Sequence, residues 1–284
     1  MGVGRRVRSA RKSVLSAVFV YAAVVAIFIL GSCGVAGVIC SMNSSEIELS
    51  ARKAQEQTDQ INASIELQRA IQKTSLDEAP AELVRKKSAN KDVCAWLVVP
   101  DTLVSLPIAQ RVHDDSYYLN HDVGGEENSL GCAYITSANS LYFIDPVTVV
   151  YGHSFSDVTD VMMGTLSMLG EKGFFDAHDS FAIVLEDRVL TYRIANVCGF
   201  VGDNILDYLA GGDESRLNYY MSSAIAPGID KRFERDVGKV GYPESRIVHL
   251  STCVVPNKDE GRFVVTGILV EEEMLSTESE SIYE

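Results

Sequence analysis

The sequence predicts a mainly β domain, a barrel of short strands with inserted helices, preceded by an N-terminal transmembrane helix and a helical stalk. Three observations carry this. Short apolar runs separated by polar turns fill the C-terminal two thirds, one long uncharged stretch lies near the N-terminus, and a weak helical repeat joins them.

The uncharged stretch comes first. The 33 residues from Ser13 to Ser45 contain no charge, and Val14 to Ile39 is almost wholly apolar. That exceeds the roughly 20 residues a membrane span needs. Arg5, Arg6, Arg8, Arg11 and Lys12 precede it and the first charge after it is Glu46, so the positive-inside rule puts residues 1–12 in the cytoplasm and residues 46–284 outside. Residues 13–42 are read as the anchor. A cleaved signal peptide fits less well, because the apolar stretch is too long and lacks a small-x-small site at its end. Leu30-Gly31-Ser32-Cys33 has the look of a lipobox, but the apolar run continues to Ile39, whereas lipidated chains turn polar directly after the cysteine.

Residues 43–89 are expected to form the stalk. Ser45 and Glu48 make a capping box, after which Ile47, Ala51, Ala54, Thr58, Ile61 and Ile65 recur at helical spacing. The stripe is too weak for a coiled-coil dimer and suits a helix packed loosely on the domain. A second helix is expected from Pro80 to Lys87, with the proline near its start.

Residues 90–272 form the expected core domain. Its strands are read as Trp96–Val99, Cys132–Ile135, Val147–Tyr151, Phe181–Leu185, Val189–Phe200, Ile247–Cys253 and Phe263–Val270, a set that suits a barrel. Helical patches are expected at Val161–Leu169 and Leu217–Ile225. Residues 273–284, acidic and serine-rich, are read as a disordered tail.

Composition removes several function classes. Outside the five N-terminal cations, 20 Lys and Arg stand against 39 Asp and Glu, a net of −19, which repels nucleic acid. No Asp-x-Asp calcium loop and no Cys-x-x-Cys pair is present, so neither a metal site nor a cofactor is expected. Of six cysteines, Cys33 and Cys40 lie in the apolar stretch, while Cys94, Cys132 and Cys198 sit in apolar contexts that suit packing.

The sixth, Cys253, points to chemistry. It ends the run Ile247 to Cys253, turn residues occupy Pro256 to Gly261, and a hairpin would set it beside Arg262. A guanidinium next to a thiol favours the thiolate and can hold a developing oxyanion. His153, ending the apolar run of Val149-Val150-Tyr151-Gly152-His153, is placed to shuttle protons. His249 is a rival base, but four residues upstream on one strand its Cα stands roughly 13 Å from that of Cys253. A structural role is expected for it. Tyr151, Ser251 and Thr252 flank the site and are candidates for substrate contact. No third, orienting acid is evident.

Together these residues resemble the sortases, the cysteine transpeptidases of Gram-positive cell walls, and class B most. The matching features are Leu250-Ser251-Thr252-Cys253, Arg262 with Phe263-Val264-Val265, Tyr151-Gly152-His153 and Asn90-Lys91-Asp92-Val93-Cys94-Ala95-Trp96. Pro107-Ile108-Ala109-Gln110 and Asp114-Asp115-Ser116-Tyr117-Tyr118-Leu119 complete them, in the family's order from Asn90 to Val270. The family commonly has Asn at position 115, Gly at 94 and Thr at 249. The resemblance implies an eight-stranded barrel and attack by Cys253 on a sorting signal of Leu-Pro-x-Thr-Gly or Asn-Pro-x-Thr-Asn type. It implies transfer of the thioacyl group to an amine of a peptidoglycan precursor or a pilin, His153 as acid and base, Arg262 on the oxyanion, and a substrate contact at Asp115. The implied partners are surface proteins bearing sorting signals. A pilin-polymerising enzyme, a membrane-tethered cysteine hydrolase and a non-catalytic wall-binding module are the alternatives.

Overall fold

A computed structural model of the chain describes residues 44–155, 158–200, 214–223, 230–253 and 261–275. The expectations for the basic N-terminus, the anchor, the lipobox, the turn at Pro256 to Gly261 and most of the acidic tail lie outside these residues. Among the described residues no helix is long and apolar enough to cross a membrane.

Two compact units are present, Met1–Gln60 and Ile61–Glu284. In the first, the described residues are the opening turns of α1 (Ser44–Ile71), exposed from position 48 to 60. Local bonds support these turns, such as the Thr58 hydroxyl donating to the Ala54 carbonyl at 2.8 Å.

The second unit begins within what the sequence suggested was stalk. Ile71 at the end of α1 and Ala79 and Leu83 of α2 (Ala79–Ala89) are buried with Val93, Trp96, Val98 and Val184. Arg69 of α1 bonds Asp160 at 2.8 Å. The later part of the 43–89 segment therefore packs into the core domain.

Among the described residues nine strands follow: β1 (Val93–Val98), β2 (Ser105–Ala109), β3 (Ala133–Tyr134), β4 (Val147–Tyr151), β5 (Ser180–Val184), β6 (Arg188–Phe200), β7 (Asp230–Glu234), β8 (Ile247–Cys253) and β9 (Arg262–Met274). Their order is β5-β1-β2-β3-β4-β8-β9-β6-β7, and β5 also pairs with β6. That second pairing closes eight strands into a barrel. β6 is long enough to hold β5 along residues 189–193 and β7 along residues 196–199 of the same edge. β7 is thus an addition to the closed barrel. Most neighbours are antiparallel; β2 with β3 and β4 with β8 are parallel.

The barrel interior draws apolar residues from all eight strands, including Leu97, Leu106, Ala133, Val150, Ile183, Ile194, Leu250 and Val265. A second cluster lies on the opposite face of β4, β8 and β9, where α4 (Glu214–Ser223) places Tyr220 and Met221 over Val149, Ile247, Val264 and Ile268.

Several elements differ from the sequence expectation. β2 contains Pro107, whose missing N–H speaks against a strand. Its carbonyl faces Cys132 on the β3 side, and the β3 ladder starts only at Ile108, so no ladder bond is lost there. β7 carries four charged residues in five and has no apolar run. The patch at Val161–Leu169 is a 3₁₀ helix at Gly164–Gly170, followed by α3 (Lys172–Ala177). β9 runs on to Met274, pairing Glu271, Glu272 and Glu273 with Thr191, Leu190 and Val189. The acidic start of the expected tail is therefore strand, because the other side of this ladder is supplied by the long β6. Cys94, Cys132 and Cys198 are buried, and Cys94 and Cys132 are free thiols. Burial pushes the Cys94 thiol up to about 12 and the Cys132 thiol higher still.

Candidate active site

Alternation along a strand sends successive residues to opposite faces, and here it sorts the candidate residues. Val150, Val248, Leu250 and Val265 belong to the barrel interior; Val149, Ile247, Val264 and Ile268 belong to the outer cluster. Tyr151, Ser251, Arg262 and position 253 share the outer parity. In register, Cys253 stands opposite Arg262 at the end of the antiparallel β8–β9 ladder, and Tyr151 stands beside Ser251 in the parallel β4–β8 ladder. The Gly152 N–H donates to the Ser251 carbonyl at 3.2 Å and carries that register one residue further. Position 153 therefore arrives at the level of position 253. Cysteine, histidine and arginine positions converge at one end of three adjacent strands.

The His153 ring is half-buried and oriented. Its Nε2 lies 2.8 Å from the Leu119 carbonyl. A carbonyl only accepts, so Nε2 carries the proton and Nδ1 is the nitrogen that can take one up. The Leu119 carbonyl ends the short 3₁₀ turn Tyr117–Leu119. Buried Tyr118 pins that turn by donating to Asp92 at 2.9 Å and accepting from Asn90 at 2.8 Å. Arg111 lies over the Tyr117 ring at 3.9 Å, and His121 stacks on the same ring at 3.8 Å. The orienting partner absent from the sequence reading is thus a main-chain oxygen. No residue type signals it, although the Asn90 to Trp96 and Asp114 to Leu119 motifs supply the side chains that place it.

Gly131 completes this wall. Its φ is +66°, and a Cβ there would stand 2.6 Å from the Tyr118 carbonyl oxygen and 3.1 Å from His153 Cδ2. Only glycine fits both the backbone angle and the gap. Gly131→Ala is expected to cut turnover about 100-fold by shifting the imidazole, with some loss of stability. Steady-state kinetics alongside thermal melts check this, and a variant with parental turnover contradicts it.

No family model matches the chain. It is 28% identical over 205 residues to sortase B of Listeria monocytogenes, covering 68% of this chain and 76% of that protein. The solved structure of Listeria monocytogenes sortase B superposes with a TM-score of 0.53 at 27% identity, covering 66% of this chain and 99% of that one. The chain is similar in sequence and in fold to class B sortases. A Streptococcus pyogenes class B sortase involved in pilus biogenesis shares the fold, with a TM-score of 0.54, 24% identity, and coverage of 66% of this chain and 98% of that one. The likeness supports a cysteine transpeptidase.

The remaining candidate residues fall in different places. Tyr151 stacks on Tyr134, ring centroids 5.4 Å apart. Ser251 is buried on the outer face beside Tyr151. Thr252 has the other parity: it is buried opposite Phe263, a residue of the barrel interior, and is not brought together with the outer-face residues. Asp115 is exposed and accepts from the Ser137 N–H at 2.6 Å and the Ser137 hydroxyl at 2.8 Å, which ties its loop to the segment after β3.

His249 is fully buried, between the Tyr220 hydroxyl at 2.5 Å and the Thr266 hydroxyl at 3.0 Å. Burial lowers its pKa from 6.5 to about 3, so it is neutral where His153 works. The depressed value has a consequence for stability. The unfolded chain takes up this proton below about pH 6.5 and the folded chain does not until about pH 3, so stability is full above pH 6.5 and falls as pH drops toward 3. Chemical denaturation at a series of pH values checks it. His249→Gln should lose part of that slope, and an unchanged slope contradicts the assignment.

Proposed function

We propose that the chain is a membrane-anchored, class B-like sortase that joins proteins bearing a C-terminal sorting signal to an amine of a peptidoglycan precursor. The observation that carries this reading is the Cys253–Arg262 register pair set beside the Tyr151–Ser251 pair, with His153 delivered to the same strand end. The Cys253 thiol passes its proton to Nδ1 of His153, the thiolate attacks the carbonyl carbon before the scissile bond, and Arg262 holds the oxyanion. The C–N bond then breaks and the departing amine takes a proton from His153, leaving a thioester on Cys253. An incoming amine gives a proton to Nδ1 of His153 and attacks the thioester, and the thiolate leaves. A thioester conserves the acyl energy, so an amine that outcompetes water makes the second step a transfer. Tyr151 and Ser251 line the approach to the thiol, and Asp115 is the further proposed substrate contact; Thr252, expected beside them from the sequence, is left out because it faces the barrel side.

Peptides of the Leu-Pro-x-Thr-Gly and Asn-Pro-x-Thr-Asn types, offered with and without an amine, test the proposal. Amine-dependent ligation is expected. Hydrolysis at the same rate in both conditions would indicate a cysteine hydrolase, and no turnover a wall-binding module. A pilin lysine as the amine is the second reading, favoured by the likeness to the pilus-biogenesis enzyme of Streptococcus pyogenes.

The proposed organisation is a cytoplasmic segment of residues 1–12, an anchor of residues 13–42, a helical stalk from residue 43 whose later part packs into the catalytic domain, that domain through the end of β9 at Met274, and an acidic tail after it. The apolar Val14 to Ile39 stretch with basic residues only before it supports this topology. Protease shaving of intact cells should remove residues after 46. Full protection of that region would contradict the topology.

A further inference from the structure

We propose that Tyr220, His249 and Thr266 are positioning residues, a buried chain that fixes the inserted helix α4 on the outer face of the sheet and thereby sets Tyr151 for substrate. The proposal rests on the transpeptidase reading for its kinetic consequence and on geometry for its structural one.

The outer face of β4, β8 and β9 has two halves. The half toward the starts of β4 and β8 is covered by α4, with Tyr220 and Met221 clustered with Val147, Val149, Ile247 and Ile268, and the cluster extends to Val264 in the row of Ser251. The other half carries Tyr151, Ser251, Arg262 and position 253. His249 and Thr266 are opposite each other in the β8–β9 ladder, in the row between the halves. Tyr220 reaches this row from α4: its hydroxyl lies 2.5 Å from His249 Nε2, and its ring meets the imidazole edge-on at 87°. Nδ1 of the same imidazole lies 3.0 Å from the Thr266 hydroxyl. All three side chains are at most 2% exposed.

A neutral imidazole has one donor and one acceptor nitrogen. It therefore accepts a hydrogen bond from one hydroxyl and donates one to the other, and each member of the chain needs the next. With water excluded, loss of one member leaves a buried polar group unmatched, which costs more than an exposed bond would. Tyr151 packs half-buried against the cluster that contains Tyr220, so the seat of α4 is also the support of the first side chain of the open half. A separate bond, from the Tyr242 N–H to Asn218 at 2.9 Å, holds the helix to the segment before β8 and leaves the chain to set its position over His249.

The test uses the full chain and two conservative variants. Tyr220→Phe removes one hydroxyl, while His249→Gln keeps a donor and an acceptor. In Tyr220→Phe, hydrogen exchange of the amides in Glu214–Ser223 is expected to rise about tenfold, and KM for a sorting peptide to rise about tenfold with kcat and the pH profile unchanged. His249→Gln should show less than half of either effect on a logarithmic scale. Unchanged exchange in α4 would overturn the proposal, as would raised exchange with an unchanged KM. A fall in kcat with a displaced pH profile would overturn it too, by placing His249 in the chemistry. If the parent turns over no peptide, the transpeptidase reading fails while the exchange measurement still decides the seat of α4.

Discussion

Replacing Cys253 with alanine is expected to abolish cleavage of a sorting peptide, leaving less than about a thousandth of the parental rate. The position ends β8 opposite Arg262, and among the described cysteines it alone ends a strand beside a cation in register. Cys94, Cys132 and Cys198 are buried in apolar packing, which raises Cys94 and Cys132 above the range in which a thiolate forms. No substitute nucleophile is at hand among them. Removing one sulfur at a strand end beside a turn leaves the barrel core intact, so the thermal melt should move little. A folded Cys253→Ala protein that cleaves at the parental rate would rule out the thioacyl route.

The two histidines should separate just as sharply. His153→Ala is expected to lose transpeptidation by about 1,000-fold, within the range that acid–base groups contribute. It loses the imidazole that the Leu119 carbonyl orients through Nε2. His249→Ala should keep its chemistry far better and lose stability, since it leaves two buried hydroxyls, those of Tyr220 and Thr266, without their shared partner. Steady-state rates of both variants, read with their melting temperatures, decide this. An inactive but folded His249→Ala beside an active His153→Ala would reverse the assignment of the base.

The legible parts of the fold were those where one local pattern agreed with the tertiary outcome. The apolar runs at Val147–Tyr151 and Ile247–Cys253 coincide with β4 and β8, since both strands are covered on both faces and read as continuous hydrophobic segments. Elements that depend on a distant partner were not legible. β2 carries a proline that is harmless only because β3 starts pairing after it. β7 is a strand of charged residues that pairs on the free edge of β6. The Glu271 to Glu273 end of β9 is strand because β6 is equally long. At the site, Cys253, Arg262 and His153 stood out because side-chain chemistry is written in residue types. The Leu119 carbonyl and the gap above Gly131 are main-chain features whose meaning depends on a fold that brings residues 119, 131 and 153 together. Thr252 shows the reverse: next in sequence to the nucleophile, it is turned by the strand's period of two toward the barrel side.

The same period of two assigns His249 to the outer face with Tyr220, and so explains how a second histidine can sit four residues from the nucleophile without competing for its proton. Burial, not distance alone, keeps it neutral.

The most direct test is intact-protein mass spectrometry of the parental chain mixed with a sorting peptide, followed by peptide mapping of any adduct. A mass increase equal to the acyl portion of the peptide is expected, located on Cys253 and discharged when an amine is added. Turnover of the peptide with no adduct on Cys253, or with the acyl group on another residue, would contradict the account.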